Sequence, residues 1–293
     1  TFVTIPAVGT SITFLIFAGI LLALSIVYFV MEKAGKKKVI ASVLIFAFCC
    51  GTGYSDSFAF WENNLTYEGE SVYNYLQVYE NDERVALSTN VLFGVQSVYM
   101  KQDELTGMYY DYAMAAPLML KDKPTDQMDV LILGMGTGTY ATQCRKYFGD
   151  MNIEGVEIDE KITDLSRKYF SLSEDVPVTT YDGRAFLNAS QKAYDVIMVD
   201  AYQDITIPFQ MSSKEFFALV KSHLKDDGVM VVNMNMRGTK EGNINQYLSD
   251  TIGSVFTTEV IVDVAGSPNR DLVASDDPDI GKNLTKHRGE LTD

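Results

Sequence analysis

Three glycines beside an acidic residue have the types and spacing that suit nucleoside binding. The glycines alternate directly after the apolar run 130–133: Gly134, Gly136 and Gly138. Glu157 lies near the end of the next apolar run, 153–158. Glycines let the backbone approach a ligand, the following helix offers free N–H groups, and a carboxylate after the second strand can hold ribose hydroxyls. The spacing G-x-G-x-G, rather than the dinucleotide pattern G-x-G-x-x-G, favours an adenosyl-sulfur cofactor over NAD.

Further acids follow the ends of the neighbouring apolar runs. Asp159 comes just after the second run, Asp182-Gly183 after the third and Asp200 after the fourth. A single acid after a strand is usually a helix cap or a turn former. Because the carboxyl ends of parallel strands meet at one edge of a sheet, four acids beside a glycine loop are better explained by a binding site.

The elements that must position these residues alternate between strand and helix. The sequence predicts strands at 129–134, 153–158, 177–181, 194–200 and 228–235, and helices at 139–148, 160–170, 183–190 and 213–224. Segments 255–264 and 272–274 are predicted to close the sheet as an antiparallel pair. Such alternation implies a doubly wound α/β sheet with its ligand at the carboxyl ends of the strands.

The N-terminal part is typical of a membrane segment. Residues 11–30 carry no charge over about twenty positions, enough to cross a bilayer. After the basic cluster Lys33–Lys38, a second apolar run from Val39 to about Gly51 is predicted as a less regular span, or as a re-entrant or interfacial helix. A signal peptide fits poorly because no basic region precedes the first run. We therefore expect a piece of a longer multi-pass cell-membrane protein.

Charge and cysteine usage narrow the class of partner. The chain carries a formal net charge of −15 at pH 7, and residues 1–60 hold only two of its acids. Such acidity repels nucleic acid and attracts a small organic cation, although it also simply keeps a domain soluble. The three cysteines and two histidines show no disulfide framework and no metal-site spacing.

Between the membrane segment and the sheet, residues 71–100 alternate apolar and polar positions with turn signals between the runs. A helix is predicted over 105–120. The expected domains are 1–60, transmembrane; 61–123, a small β-hairpin domain plus helix; and 124–293, the Rossmann-like nucleoside-binding domain. The fold class is α/β: a Rossmann-like, methyltransferase-type doubly wound sheet preceded by a small antiparallel β-hairpin domain and N-terminal transmembrane helices.

At this point the residues resemble a known family. The series LGMGTG, VEID, YDGRAFL and VDAYQD, followed by Pro208 and SSKEFF, is similar to spermidine synthases, the polyamine aminopropyltransferases, and especially to their membrane-fused bacterial members. The resemblance covers about residues 65–265. It implies aminopropyl transfer from decarboxylated S-adenosylmethionine to a small cationic amine such as putrescine, releasing methylthioadenosine, with no metal.

The resemblance also implies roles for individual residues. Asp200 would be the catalytic carboxylate. The cofactor would be held by Gly134, Gly136, Thr137, Gly138, Glu157, Asp182 and Gly183, with Asp182 on the adenine amino group. The amine would be held by Tyr73, Tyr109, Asp111, Tyr202 and Asp204. A homodimer and contact with membrane lipid through the N-terminal helices are further expectations.

Departures from the family pattern define the alternatives. Thr137 stands where the family loop usually has an aspartate, and Gln203 where its second signature aspartate would be. One alternative is therefore a methyltransferase that uses S-adenosylmethionine itself. Another is a catalytically impaired polyamine- or nucleoside-binding module of a membrane transporter. The side of the membrane is open, because Lys33–Lys38 should be cytoplasmic and the domain would lie outside if the second run spans.

Overall fold

The computed structural model describes residues 3–33, 35–53, 65–89, 94–102, 104–121, 123–201, 207–234, 243–267 and 269–288. Two predicted amine-binding residues, Tyr202 and Asp204, lie outside these ranges. The chain divides into two compact units, residues 1–80 with 87–96, and residues 81–86 with 97–293. The domain boundaries expected from the sequence remain predictions.

Helix α1 (Thr4–Met31) is the membrane-type segment of the first unit. Within this helix, the segment Ala7–Met31 comprises 25 residues with a mean hydropathy of 2.7. Its most apolar stretch is not buried against the rest of the described structure. By length and composition alone, this helix is able to cross a bilayer once.

Helix α2 (Lys36–Gly53) does not meet the same criterion. Three of its 18 residues, Lys36 to Lys38, are lysines, so its uncharged stretch is shorter than the roughly 20 residues that cross a bilayer. Within the part of the chain that the structure describes, only α1 is long and apolar enough. The predicted multi-pass arrangement is therefore not supported.

The predicted β-hairpin sheet is confirmed. It contains β1 (Leu65–Glu70), β2 (Tyr75–Glu80), β3 (Arg84–Ser88) and β4 (Val95–Met100), hydrogen-bonded in that order. Strands β1 and β2 pair antiparallel, with Gly69 opposite Leu76. The helix predicted over 105–120 is much shorter: α3 spans Tyr109–Ala113, and a 3₁₀ turn follows at Pro117–Met119. Pro117 lacks an N–H group and its ring clashes with the preceding turn, so a longer helix cannot continue through it.

The predicted doubly wound sheet is also confirmed. Its elements alternate along the chain: β5 (Asp129–Leu133), α4 (Thr139–Phe148), β6 (Asn152–Glu157), α5 (Glu160–Tyr169), β7 (Val178–Thr180), α6 (Gly183–Ala189), β8 (Tyr194–Val199), α7 (Lys214–Ser222), β9 (Leu224–Met234), α8 (Ile244–Gly253), β10 (Thr258–Asp263), β11 (Arg270–Ser275) and α9 (Ile280–His287). The seven strands lie in the order β10-β11-β9-β8-β5-β6-β7. Strands β5 to β9 pair parallel, and β10 and β11 close the sheet antiparallel.

Local sequence explains these elements. All six residues of β8 are buried, as expected for a strand covered on both faces. The helices start at polar caps: the side chains of Asp159, Asp182, Ser213 and Asn243 each accept a backbone N–H of the first turn. Strand β9 begins at Leu224, four residues before the start predicted at 228, so Gly228 lies inside the strand.

The strand order fixes where a ligand can bind. From β5 the chain proceeds to β6 and β7 on one side, and then returns to β8 on the other side of β5. The loops after β5 and β8 therefore run in opposite directions and leave a crevice at the carboxyl ends of these two strands. The residues that follow them are Gly134 and Asp200.

At the opposite end of the sheet, Asp195 should contribute strongly to stability. Its carboxylate is 3 % exposed and accepts from Lys123 at 2.5 Å, Lys225 at 2.8 Å and the Asp129 N–H at 2.8 Å. Burial alone would raise its pKa, but the hydrogen bonds from both lysines hold the pKa below its ordinary value.

We predict that Asp195→Asn lowers the free energy of unfolding by roughly 2–4 kcal/mol at pH 7, because two lysines lose their shared anion. A carboxyl with a lowered pKa stabilises the fold above its unfolded pKa, and that stability disappears as the pH falls through the folded pKa. Urea unfolding at pH 7 and at pH 3 measures the difference. Asp175→Asn, in an exposed pair with Arg145, is the control and should leave the midpoint nearly unchanged.

Gly134 should tolerate no side chain. Its φ of +87° lies in the left-handed region, and a Cβ there would be 2.6 Å from the Asp200 carbonyl oxygen and 2.8 Å from the Ala201 Cα. We predict that Gly134→Ala lowers the free energy of unfolding by about 2 kcal/mol or more, because backbone atoms must move. Gly281→Ala is the control, since its Cβ would meet nothing within 4 Å and alanine favours the helix. Equal unfolding midpoints for the two variants would contradict this packing.

Candidate active site

The glycine loop after β5 is a backbone cradle. Gly134, Gly136 and Gly138 all have φ in the left-handed region, at +87°, +53° and +76°. The N–H groups of Gly134 and Met135 donate to the Val156 carbonyl at 2.9 and 3.0 Å, which ties the loop to β6. Gly138 is the N-cap of α4 and has no side-chain cap. The loop thus presents bare backbone and a helix N-terminus, the arrangement that suits a nucleoside cofactor.

Glu157 closes the other side of this loop at the end of β6. It is 6 % exposed, and its two oxygens accept from the Gly136 N–H at 2.8 Å and the Asp159 N–H at 3.1 Å. Burial raises the pKa of its carboxyl, against the effect of these hydrogen bonds. A carboxylate has about four acceptor positions, so capacity remains for the hydroxyls of a ribose.

Asp200 follows β8 and lies at the centre of a hydrogen-bonded cluster. Its backbone N–H donates to the Leu133 carbonyl at 2.9 Å, which places it beside the glycine loop. The Tyr109 hydroxyl donates to its Oδ2, and the Asn233 Nδ2 donates to its Oδ1 at 2.9 Å. Asn233 in turn accepts from Asn269 Nδ2 at 3.0 Å. Both oxygens of the carboxylate are therefore oriented by neutral donors.

The electrostatics suit Asp200 to proton transfer. Burial raises the pKa of its carboxyl to about 7, and the negative charge of Glu157 adds to the rise, although the hydrogen bonds from Tyr109 and Asn233 oppose it. Burial, and then the charge of Asp200, raise the pKa of the Tyr109 hydroxyl well above its ordinary value, so this hydroxyl stays a donor. A carboxyl with a pKa near neutrality can take a proton from a bound group at physiological pH.

Helix α3 holds Tyr109 in place. The Tyr109 ring meets the Tyr110 ring edge-on, with centroids 4.9 Å apart. The Tyr110 hydroxyl accepts from the Val98 N–H at 2.8 Å and donates to its carbonyl at 3.1 Å. Asp111, predicted to bind the amine, instead has its oxygens engaged by Thr106 Oγ1, the Gly107 N–H and Gln143 Nε2 at 2.6–2.8 Å. These bonds secure the start of α3.

The other predicted residues differ in their surroundings. Asp182 is the N-cap of α6, where its side chain accepts from the Ala185 N–H at 2.8 Å. A Cβ on Gly183 would lie 3.5 Å from Leu133 Cδ2, beside the glycine loop. Thr137 is 1 % exposed and its Oγ1 lies 3.1 Å from that of Thr139. Tyr73 belongs to the first unit and is 52 % exposed.

The structure thus brings the glycine loop, Glu157, Asp200 and Tyr109 to one edge of the sheet. Sequence reasoning missed Asn233 and Asp271. Asn233 lies near the carboxyl end of β9, so the rule that identified Asp200 could have found it. Asp271 lies directly opposite Asn233 in β11. It follows Arg270 and precedes the apolar run 272–274, just outside the segment predicted as a strand, so no local signal in the sequence marks it.

Comparisons with known proteins show which family the chain belongs to. The family described as "Spermine/spermidine synthase domain" matches residues 108–265, more than half of the chain. A Bifidobacterium longum protein named "Probable polyamine aminopropyl transferase" is 57% identical over 254 residues, covering 86% of this chain and 56% of that protein. The Vibrio vulnificus "Polyamine aminopropyltransferase" is 26% identical over 200 residues, covering 65% of each. This chain thus spans a little over half the length of its Bifidobacterium relative.

Solved structures share the fold. The crystal structure of spermidine synthase from Thermotoga maritima superimposes with a TM-score of 0.63 at 20% sequence identity, covering 78% of this chain and 79% of that chain. The human methyltransferase-like protein 13, solved in complex with SAH, gives a TM-score of 0.55 at 20% identity, covering 62% of this chain and 91% of that chain. The fold is therefore the Rossmann-like one, and the family match identifies the chain as a member of the spermine/spermidine synthase domain family.

Proposed function

We propose that the protein transfers the aminopropyl group of decarboxylated S-adenosylmethionine to a small amine such as putrescine. The observation that carries the proposal is Asp200, a half-buried residue whose carboxyl is oriented by Tyr109 and Asn233 beside the glycine loop. Family membership and the relatives named as aminopropyltransferases support it.

The glycine loop and Glu157 would bind the adenosyl co-substrate. Gly134, Gly136 and Gly138 would allow the aminopropyl chain of the co-substrate to approach the backbone closely, because glycine has no side chain. The free acceptor positions of Glu157 would hold the ribose hydroxyls, and Asp182 and Gly183 would lie towards the adenine. Thr137 would contribute a hydroxyl to the wall of this cradle.

Asp200 would serve as the proton acceptor of the reaction. The attacking amine must be neutral, so the carboxylate takes a proton from it, and Tyr109 and Asn233 keep both oxygens aimed. The amine nitrogen then forms a bond to the aminopropyl carbon next to the sulfonium. The carbon–sulfur bond breaks, and its electron pair stays on sulfur to give neutral methylthioadenosine. Alignment of the two reactants in the crevice supplies much of the rate.

The acidic chain suits a cationic substrate. The formal net charge of −15 attracts a diamine towards the site and repels nucleic acid. Tyr73, Asp111, Tyr202 and Asp204 stay candidates for the amine site. Attachment to membrane lipid through α1 and pairing into a homodimer also belong to the proposal.

Incubation of the full chain with decarboxylated S-adenosylmethionine and putrescine tests the function through release of methylthioadenosine. Tighter binding of S-adenosylmethionine than of the decarboxylated form would favour the methyltransferase alternative, for which buried, uncharged Thr137 is the supporting observation. Ligand binding without any turnover would favour the binding module of a membrane transporter.

Asp200→Asn should abolish proton transfer with little change in the fold. We predict a loss in kcat of about 100-fold or more, because the amide cannot accept the proton. In the unmodified protein, kcat/KM should rise with pH through about 7 as Asp200 ionises. The pH profile of methylthioadenosine release measures both effects.

Two features make this prediction specific. A buried carboxyl with a raised pKa lowers stability as the pH rises through that pKa, so Asp200→Asn should melt no lower than the unmodified protein at pH 8. Asp175→Asn removes an exposed carboxylate elsewhere and should keep full activity. Undiminished turnover in Asp200→Asn would exclude Asp200 as the proton acceptor.

Glu157→Gln should weaken binding of the adenosyl co-substrate. We predict a rise in its Kd of roughly 10-fold, because the amide loses the charge-assisted hydrogen bonds to ribose and to the Gly136 N–H. Calorimetry with methylthioadenosine measures the effect. Glu160→Gln is the matched control, since Glu160 is exposed at the start of α5 just three residues later. An equal Kd for the two variants would remove Glu157 from the site.

A further inference from the structure

Asp271 belongs to a polar row that crosses three neighbouring strands. Asp271 in β11 lies directly opposite Asn233 in β9. Val232 of β9 lies opposite Val199 of β8, so the next residues, Asn233 and Asp200, are at the same level. Directly paired residues share a face of the sheet. Asp200, Asn233 and Asp271 therefore follow one another across the sheet, and Asn233 already contacts Asp200 at 2.9 Å.

Among the described residues, the Asp271 carboxyl has no partner. Its exposed fraction is 0 %, and neither carboxyl oxygen has a hydrogen-bond partner among the residues that the structure describes. Within those same residues, no ion pair involves Asp271 or Asp200. Buried carboxyl groups are normally hydrogen-bonded or paired, because an isolated charge away from water is costly. No residue in the described part of the chain thus supplies the partner that the position of Asp271 requires.

The charge of Asp200 acts on the Asp271 carboxyl. Burial, and then the charge of Asp200, raise the pKa of Asp271 well above its ordinary value. The titratable groups that face the pair from the elements packed around it are Tyr109 and Tyr110 on α3, Tyr140 on α4 and Glu157 at the end of β6. On the other side, β10 places the apolar Val262 opposite Asp271. All these titratable groups are neutral or anionic, and none of them supplies a positive charge.

We propose that Asp271 is the second anion of the amine site, and that Asp200 and Asp271 together bind one alkylammonium group of the substrate. Asp200 keeps part of its surface exposed, whereas Asp271 is fully buried and lies two strands away, in β11 beside the edge strand β10. Burial of both acids, and the charge of Asp200 acting on Asp271, favour a proton held by the pair in the free protein. The arriving ammonium replaces that proton, which leaves for the solvent, and the ionised Asp200 is then ready to accept a proton from the amine.

This inference rests on the proposed function, because it assigns the charge and class of the acceptor: an alkyl di- or polyamine rather than a neutral nucleophile. The two carboxyl groups offer the negative charge that a protonated nitrogen needs, and the Tyr109 hydroxyl stays a donor beside them. A site with two acids that need a positive charge would also reject neutral analogues of similar size, since these leave both acids unpaired.

Calorimetry on the full chain tests the proposal. Putrescine is titrated at pH 7 into protein saturated with methylthioadenosine, in phosphate and in Tris, whose different ionisation enthalpies reveal proton release. The unmodified protein should release close to one proton for each putrescine bound. Asp271→Asn should raise the Kd for putrescine at least tenfold, abolish most of the proton release and leave the Kd for methylthioadenosine unchanged.

The control is Asp263→Asn, which removes a 58 % exposed carboxylate from the adjacent strand β10 and should bind putrescine normally. Asp271→Asn removes an unpaired buried acid, so its melting temperature at pH 8 should equal or exceed that of the unmodified protein. A Kd within threefold of the unmodified value overturns the proposal. Absence of proton release from the unmodified protein overturns it as well, whatever the variants do.

The proposed function and this inference can fail separately. If putrescine binding depends on Asp271 but no methylthioadenosine is released from decarboxylated S-adenosylmethionine, the transfer reaction is wrong and the amine site stands. If transfer proceeds and Asp271→Asn has an unchanged KM for putrescine, the transfer reaction stands and Asp271 is excluded from the amine site.

Discussion

Removal of a carboxyl group from water is the constraint on which the site depends. Asp200 follows a strand whose six residues are all buried, and its charged form loses hydration there. Two neutral donors, Tyr109 and Asn233, offset part of that cost without fixing the group in its ionised form. A lysine in either position would hold the carboxylate ionised, as Lys123 and Lys225 do for Asp195 at the other end of the sheet. At one end of the sheet the ion-paired Asp195 therefore has a lowered pKa, and at the other end Asp200, bonded to neutral donors, has a raised pKa.

The strand order brings the remaining parts of the site to this carboxyl group. Because β5 and β8 are neighbours, the Asp200 backbone packs against Gly134 so closely that no Cβ fits between them. Glu157 is joined to the same loop through the Gly136 N–H. The loop, Glu157 and Asp200 therefore form a single packed unit, and a cofactor held by the first two is automatically placed beside the third.

Much of this arrangement could be predicted from residues close together in the sequence. The glycine loop, Glu157 and Asp200 each follow an apolar run, and the rule that ligands bind at the carboxyl ends of parallel strands is enough to group them. The contacts of Asp111 could not be predicted, because whether its oxygens face a ligand or the Gly107 N–H depends on the local turn. Asp271 needs the β9–β11 register, which joins residues far apart in sequence. The shortened α3 shows that Pro117 outweighed a favourable helical pattern.

The chain of side-chain amides from Asn269 through Asn233 to Asp200 has a consequence for how the site responds to acidity. Amide groups do not gain or lose protons in the physiological range, so their directional preferences are the same in mildly acidic and mildly alkaline surroundings. Asn269 and Asn233 hold the carboxyl in one orientation whether or not it carries a proton. A change in pH therefore alters the charge of Asp200 but not the orientation of its carboxyl group. The geometry of the site stays the same while Asp200 titrates.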